Sequence, residues 1–275
     1  MKRDEIINSL EAEIRRLRKT LSELTPNLES LLRRRGFKIY KKEPKDDLLI
    51  PEDRFIDEYY EILKRYSFRL FLRDIIKHQD FFTLKDVTRY ATSEVTGDYI
   101  DYSVKIGLIE AIGDGFRLSR RPIKSFGETL EWFLAEIFKR EFQTEAYWGV
   151  KFKRPRVGGD YDLIAKVNGS ILYMEIKSSP PKQIYQNEIT AFLERIDDLL
   201  PEISVFFMDT ELRMKDKIVP MFEQELALRY KSPPKVQRIE KELFHINGKT
   251  FIINSKDSIM ANIEKVLNWH FRGGR

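Results

Sequence analysis

The dipeptide Asn168-Gly169 stands between two runs of β-forming residues, and it constrains the fold more than any other feature of the chain. Asn-Gly between such runs is the strongest short-range signal for a two-residue β-hairpin turn. In a hairpin with this turn, each residue before the turn faces the residue that lies equally far after it. The sequence therefore predicts a hairpin over residues 158–177, with a register that the turn determines.

This register places charged side chains opposite one another. Asp162 lies six residues before the turn and Glu175 six residues after it, while Asp160 and Lys177 are paired in the same way. Because strand side chains alternate between faces, all four project from one face of the hairpin. Opposed residues have Cβ atoms about 4.5–5.5 Å apart, so the two facing carboxylates repel each other. A cation between them is therefore expected.

The composition limits what that cation is. The chain has no Cys and only three His, and no His lies at a metal-ligand spacing from another. Hard divalent cations prefer oxygen ligands, so Mg²⁺ or Mn²⁺ is the expected cofactor. A bound ion of this kind lowers the pKa of water and stabilises charge on a phosphoryl group, and Lys177 would orient the water or stabilise the transition state. The alternative is an ordinary exposed hairpin face, against which the apolar residues on both faces argue.

A predicted helix that contains Glu is followed by Asp162 and, after a spacer of twelve residues, by Glu175-Ile176-Lys177. Together they resemble the signature of the PD-(D/E)XK nuclease superfamily. The phrase over residues 159–165 is similar to that of resolvase-like and housekeeping members, and the resemblance covers about residues 125–210. It implies an α/β fold of the restriction-endonuclease-like type, with an α-β-β-β-α-β core and a mixed sheet. The implied activity is metal-dependent hydrolysis of phosphodiester bonds.

The resemblance assigns roles to single residues. Asp162 and Glu175 would be metal ligands, the backbone carbonyl of Ile176 would complete the metal shell, and Lys177 would be the catalytic lysine.

A further acid is implied on the helix that precedes the hairpin. Glu131 matches it best, as both a catalytic residue and a metal ligand, with Glu128 as the second choice; a solvated helix face is the alternative. Asp160 is a candidate auxiliary ligand, or else a salt-bridge partner of Lys177.

Candidate substrate-binding residues flank the hairpin and carry basic or amide side chains. They are Lys151, Lys153, Arg154 and Arg156 before it, and Gln183 and Gln186 on a helix expected over residues 182–200. A strand is expected over residues 203–209, which completes the core order. For the two glutamines, ordinary solvated side chains are the competing interpretation.

Upstream of this domain, the first helix carries apolar residues at alternating spacings of three and four, as in a coiled coil. They are Ile7, Leu10, Ile14, Leu17, Leu21, Leu24, Leu28 and Leu31. Pro26 interrupts the pattern. Two interpretations stay open: a coiled coil that makes the protein a homodimer, or a helix packed on its own chain.

The pattern divides the chain into four parts: a helical segment over residues 1–35, a charged linker with prolines over 36–53, a unit over 54–122 and the nuclease-like domain over 123–275. The third part shows three helices followed by a strand-turn-strand over residues 107–118, which resembles a winged helix-turn-helix domain. Its third helix carries Glu94, Asp98 and Asp101 against Lys105, and acidic side chains repel phosphates. Direct DNA reading and a role as an interaction or spacer module both stay open.

The charge and hydropathy of the chain bear on its partners. The net charge of +5 permits a nucleic-acid partner, with DNA expected from the resemblance. No apolar stretch approaches a membrane span, and the first residues contain no apolar run, so a cytoplasmic protein without membrane contact is expected. A metal-dependent DNA endonuclease is the leading interpretation. The alternatives are a catalytically inactive nuclease-like module for nucleic-acid binding or assembly, and a winged-helix DNA-binding regulator.

Overall fold

A mixed eight-stranded sheet forms the centre of the computed structural model, which describes residues 26–153 and 156–273. Eight further residues near the start are described: Ile7, Ser9, Leu10, Glu13, Ile14, Arg16, Leu17 and Thr20. In the described part the helices are α1 (Leu28–Arg34), α2 (Ile56–Leu63), α3 (Tyr66–Lys77), α4 (Leu84–Val87), α5 (Ser93–Lys105), α6 (Gly127–Arg140), α7 (Gln186–Leu199), α8 (Ile218–Arg229) and α9 (Ile259–Phe271). The strands are β1 (Ile39–Lys41), β2 (Ile109–Ile112), β3 (Gly115–Leu118), β4 (Ala146–Phe152), β5 (Tyr161–Val167), β6 (Ser170–Lys177), β7 (Ile203–Met208), β8 (Val236–Glu240), β9 (Leu243–Ile246) and β10 (Thr250–Asn254).

The large sheet has the strand order β1-β4-β5-β6-β7-β10-β9-β8, while β2 and β3 form a separate hairpin. Strands β4, β5 and β6 run antiparallel, and β7 lies parallel to β6 after the crossover through α7. The element order α6-β4-β5-β6-α7-β7 is the α-β-β-β-α-β core that the sequence predicts. The α/β fold class is therefore confirmed.

The hairpin β5–β6 has the predicted register. The paired residues run from Val167 opposite Ser170 to Leu163 opposite Met174. Asn168 and Gly169 both have positive φ, at 50° and 80°, as a type I′ turn requires. One step beyond the last pair, Asp162 and Glu175 meet at the far end of the hairpin.

The sheet is buried on both faces, which explains why its central strands carry apolar residues at almost every position. One face packs against α6, α9 and the helices α2–α5, and it contributes residues such as Leu163, Met174 and Phe207. The other face packs against α1, α7 and α8 through residues such as Tyr173 and Phe206. Because helices cover both faces of the sheet, its strands are accessible mainly at their ends.

We call α2–α5 together with β2 and β3 the helical unit. Its elements appear in the predicted order, and α4 begins with a capping box between Thr83 and Asp86. Phe82 adds a bridge to Phe116 beside the small hairpin. The winged-helix assignment and the domain boundaries stay predictions, although the apolar core runs without a break from the helical unit to α6.

A buried ion cluster joins the helical unit to the end of β7. Arg69 and Arg73 on α3 both contact the carboxylate of Asp209, and the side chains of Arg69 and Asp209 are 1% and 0% exposed. Arg69 donates to both carboxylate oxygens with its Nε at 3.0 Å. Burial alone raises the pKa of Asp209, but the two guanidinium groups outweigh it and lower the pKa below its ordinary value. We call these three residues the Asp209 anchor.

The segment over residues 36–53 is not only a linker. It contributes β1, whose Ile39 pairs with Phe152 at the edge of the large sheet, and Leu48 and Leu49 are buried in the core. Pro44 and Pro51 do interrupt regular structure, but they do not prevent the residues around them from packing.

The predicted helical seam divides into two parts. Its last members, Leu28 and Leu31, lie on α1 and pack into the core, so this helix rests on its own chain. The described early members are helical and 43–58% exposed: Ile7, Leu10, Ile14 and Leu17. Leu21 and Leu24 lie outside the described residues, and the dimeric coiled coil stays a prediction.

No helix in the described ranges is long and apolar enough to cross a membrane.

We predict that Asp209→Asn lowers the free energy of unfolding by about 3–5 kcal/mol, because it leaves the buried Arg69 guanidinium without its counter-charge. Urea unfolding followed by circular dichroism measures this loss. The matched control is Asp57→Asn. Asp57 pairs with Arg140, but its side chain is 90% exposed, so loss of this pair should leave the unfolding midpoint nearly unchanged. Equal midpoints for the two variants would contradict the prediction.

Candidate active site

The acidic residues and the lysine of the hairpin lie together where β5 and β6 end, beside the first turns of α6. Glu131 comes from α6, Asp162 from β5, and Glu175 and Lys177 from β6. The carboxylate of Asp162 accepts a hydrogen bond of 2.7 Å from the backbone N–H of Ile176. This bond holds the Asp162 side chain against the neighbouring strand, one residue before Lys177.

Glu175 is the most enclosed of these acids, with its side chain 4% exposed. Its Oε1 lies 3.0 Å from the Nζ of Lys177, and its Oε2 lies 2.9 Å from an Nη of Arg195. The hydroxyl of Tyr173 also donates to Oε2. Both carboxylate oxygens of Glu175 are therefore engaged by donors from its own strand and from α7.

Arg195 reaches the site because a glycine leaves room for it. Gly159 has φ +95°, and a Cβ at this position would lie 2.5 Å from a terminal nitrogen of the Arg195 guanidinium. Both the left-handed backbone and the close approach require glycine. Burial lowers the pKa of Arg195, but the negative charge of Glu175 outweighs it and raises the pKa above its ordinary value. Arg195 is thus a permanent cation next to Glu175.

Lys177 is held between two acids. Besides Glu175, its Nζ contacts Oε1 of Glu188 on α7 at 3.1 Å. Burial lowers the pKa of Lys177, but the charges of Glu175, Asp162 and Glu188 outweigh it and raise the pKa. The amine therefore stays protonated at neutral pH, as a point charge beside the carboxylates.

Glu131 and Asp162 form the electrostatically uncompensated part of the site. Burial, followed by the charges of Asp162 and Glu128, raises the pKa of Glu131 well above its ordinary value. Burial and then the charge of Glu175 raise the pKa of Asp162, against the lowering effect of Lys177. Among the described residues the Glu131 carboxylate has neither a hydrogen-bond donor nor an ion-pair partner. Two carboxylates that raise each other's pKa favour the binding of a cation.

The donor set fits a hard divalent cation in its chemistry, because carboxylate oxygens are the ligands that Mg²⁺ prefers. Across residues 26–153 and 156–273, no group of three or more His, Cys, Asp or Glu side chains is arranged so that it could hold a metal ion. Both oxygens of Glu175 are bonded to Arg195 and Lys177. Loss of their protons would give Glu131 and Asp162 the negative charge that a cation would offset.

The structure separates the two candidate helix acids. Glu128 accepts a hydrogen bond of 2.9 Å from the backbone N–H of Asp47, so it ties the segment before α2 to α6. Glu131, one turn further along, is the acid that faces Asp162. The role of Glu131 as a catalytic residue and metal ligand stays a prediction.

The residues that precede the hairpin have other partners. Asp160 pairs with Lys151 at 2.9 Å and not with Lys177, which was the alternative interpretation, and its charge contributes to the raised pKa of Glu131, while its role as an auxiliary ligand stays a prediction. Lys153 is exposed, and Arg156 is 90% exposed at 4.0 Å from Asp198. Arg154 lies outside the described residues. Local pairing across β4 and β5 explains why Lys151 binds the nearer acid.

The two glutamines have different surroundings. Gln186 donates to the backbone oxygen of Met221 at 3.0 Å and to Glu225 at 3.2 Å, so it fixes α7 to α8 and does not face the site. Gln183 is exposed in a short 3₁₀ turn after β6 and lines a cleft next to the site. Of the two glutamines only Gln183 lines this cleft, and substrate contact by either one stays a prediction.

Three residues that contact the site were not anticipated: Tyr173, Glu188 and Arg195. Tyr173 carries a usable signal, because it lies two residues before Glu175 and shares its face of the strand. Glu188 and Arg195 lie seven residues apart on α7, which places them on one side of the helix. That spacing alone does not reveal which side faces the hairpin.

No known protein family matches the chain significantly, and no curated protein does. Solved structures that are similar to it include the following two. Protein VC1899 from Vibrio cholerae is 12% identical, with a TM-score of 0.51 over 91% of this chain and 63% of that one. Can2 from Sulfobacillus thermosulfidooxidans, in complex with cyclic tetra-adenylate, is 16% identical, with a TM-score of 0.41 over 66% of this chain and 50% of that one.

At these identities the likeness concerns the fold alone, and it is the comparison with VC1899 that supports it. This chain spans half the length of Can2 and less than two thirds of the length of VC1899. The α/β architecture is thus shared with a longer protein.

We predict that Glu131→Gln makes the protein more stable at neutral pH in the presence of EDTA. The raised pKa of Glu131 means that, as pH rises above about 4.3, the unfolded chain releases this proton before the folded protein does. Glu131 therefore lowers the free energy of unfolding of the wild type as pH rises, and the variant lacks this contribution. The measurement is the urea midpoint between pH 4 and 8, values that span the window set by the raised pKa.

The matched control for this experiment is Glu264→Gln, at an exposed position of α9. It should reproduce the wild-type pH profile. A Glu131→Gln profile that runs parallel to the wild type would show that Glu131 carries no unfavourable charge.

Proposed function

We propose that this protein is a divalent-metal-dependent nuclease that hydrolyses phosphodiester bonds. The observation that carries the proposal is the meeting of Glu131, Asp162 and Glu175 beside a protonated Lys177 at one end of the sheet. The order of elements around it and the spacing from Asp162 to Glu175 support membership of the PD-(D/E)XK superfamily. DNA is the proposed substrate, on the strength of that resemblance.

Each residue has a role in this proposal. Asp162, Glu175 and Glu131 would hold Mg²⁺ or Mn²⁺, with the backbone carbonyl of Ile176 as a further ligand. When bound, the ion supplies a water of lowered pKa and positive charge at the reacting phosphate. Lys177 remains protonated and presents its ammonium group to the negative charge that develops on the phosphate.

The contacts around Glu175 define a resting arrangement. Arg195 and Lys177 neutralise Glu175, so the buried carboxylate is not left without a counter-charge. Glu188 offers Lys177 a second acceptor, which keeps the lysine at the site when Glu175 turns towards a cation.

We expect cleavage of DNA in Mg²⁺ or Mn²⁺ and none in EDTA. Glu175→Ala should abolish cleavage, and Lys177→Met should reduce the rate by about 10²-fold or more, because it removes a donor to the charged transition state. The assay incubates plasmid, single-stranded and branched DNA with the wild type and each variant. Glu264→Gln is the control and should cleave like the wild type. Metal-independent cleavage, or full activity in Glu175→Ala, would contradict the proposal.

Metal binding has a readout that does not depend on activity. Mg²⁺ should stabilise the wild type by about 2.7 kcal/mol when free Mg²⁺ is hundredfold above its dissociation constant. The thermal midpoint should rise accordingly. Glu131→Gln and Glu175→Ala should lose most of this response, while Glu264→Gln should keep it. Differential scanning fluorimetry with and without Mg²⁺ makes the comparison. Equal shifts in all four proteins would place Mg²⁺ elsewhere.

A further inference from the structure

A cleft of about 990 Å³ lies between the helical unit and the end of the large sheet. Its walls come from α3, from the residues after α4, and from the segments that follow β6 and β7. We call this space the inter-unit cleft. It lies outside the cluster of carboxylates, and the basic residues predicted around the hairpin do not line it.

The cleft adjoins the candidate active site on two sides. Ser178 and Ser179 line it and directly follow Lys177 on β6. Ser125 and Phe126 line the opposite side and lead into α6, which carries Glu131. The segments that flank the two site-bearing elements thus also line the cleft, so the cleft adjoins the candidate site.

Exposed positive charge lines the cleft. Lys77, Arg89 and Lys124 line it and are exposed. In the described part of the chain, none of these three side chains has an acidic partner within salt-bridge distance. Surface lysines and arginines elsewhere in this highly charged protein are frequently paired, as Lys105 is with Glu58. Unpaired cations that converge on one concave surface indicate an anionic ligand.

The acids of the cleft offset this charge only in part. Asp209 is committed to the two arginines of its anchor. Burial raises the pKa of Asp74, which is 8% exposed, while the charges of Arg89 and Lys77 lower it, so Asp74 offsets part of their charge. Glu211 is the exposed acid at the rim. Three exposed cations therefore face one exposed acid.

Aromatic and apolar groups complete the surface. Tyr90 lines the cleft and is 50% exposed, and Tyr66 lies on the opposite wall. Exposed aromatic rings next to basic side chains are the combination on which the bases of single-stranded nucleic acids stack. A concave cleft with cations and aromatic rings favours one flexible strand over a rigid duplex.

We propose that the inter-unit cleft binds a single nucleic-acid strand and leads it to Lys177, with Arg89, Lys124 and Lys77 on its phosphates and Tyr90 against a base. The proposal deepens the proposed nuclease function and rests on it for the fate of the strand. The binding itself is a separate claim. It assigns substrate contacts to the helical unit without requiring base-specific reading by α5.

The test measures binding without catalysis. Fluorescence anisotropy in EDTA follows labelled oligo(dT) and oligo(U) of about 12 nucleotides, within the range that one single-strand site occupies, together with a duplex of equal length. The charge variant is Arg89→Gln with Lys124→Gln. Its matched control, Lys231→Gln with Lys249→Gln, removes two exposed charges that do not line the cleft. Tyr90→Ala tests stacking.

The wild type should bind the single strands more tightly than the duplex. The charge variant should bind at least tenfold more weakly than the control and show a salt slope lower by about 1.4, since each phosphate contact on a single strand contributes about 0.7. Tyr90→Ala should weaken binding by roughly five- to 150-fold. Comparison of oligo(dT) with oligo(U) then separates DNA from RNA as the source of the strand.

Two results would contradict the proposal that the inter-unit cleft binds a single strand. One is equal affinity and salt slope in the charge variant and its control. The other is preferential binding of the duplex. A wild type that binds strands through the cleft but cleaves none in Mg²⁺ or Mn²⁺ would reject the nuclease function and leave the cleft standing.

Discussion

The Asp209 anchor is the interaction on which the arrangement of the whole molecule depends. Asp209 stands at the end of β7, and its backbone N–H donates to the carbonyl of Lys177 at 2.8 Å. Its side chain binds Arg69 and Arg73 of α3. A single residue therefore joins the strand end that carries the candidate catalytic lysine to the helical unit.

Buried ion pairs contribute little net stability when compared with apolar packing, but their geometry is strict. The Arg69 guanidinium also donates to the backbone oxygen of Leu63 at 2.6 Å, so it holds the end of α2 against α3 as well as α3 against the sheet. The walls of the inter-unit cleft are thus held at a defined distance. Orientation, more than stability, is what this cluster supplies.

Much of the site could be predicted because its determinants are local. The turn at Asn168 and Gly169 sets the register as far as Leu163 opposite Met174, which brings Asp162 and Glu175 to the same end of the hairpin. Glu131 could be chosen over Glu128 only by resemblance, and the structure shows the physical difference, which is that Glu128 is used by the backbone of Asp47.

The missed features depend on contacts between distant parts of the chain. Arg195 reaches Glu175 only because α7 packs across the hairpin and Gly159 leaves space. Asp209 and Arg69 are 140 residues apart, and no periodicity links them. The strand β1 was interpreted as linker for a similar reason: three residues between charged neighbours carry almost no pattern until they meet the edge of β4. Packing, and not local preference, decides such cases.

The two-residue turn of the hairpin also limits how this protein can vary in length. One residue added to the turn would shift the pairing of β5 against β6 and move every side chain of one strand to the opposite face. Asp162 and Glu175 would then no longer meet at the end of the hairpin, although both would still be encoded. A gain or loss of two residues would restore the faces but not the pairing. Among related chains, the distance between these two acids should therefore be less free to change than the lengths of the surrounding loops.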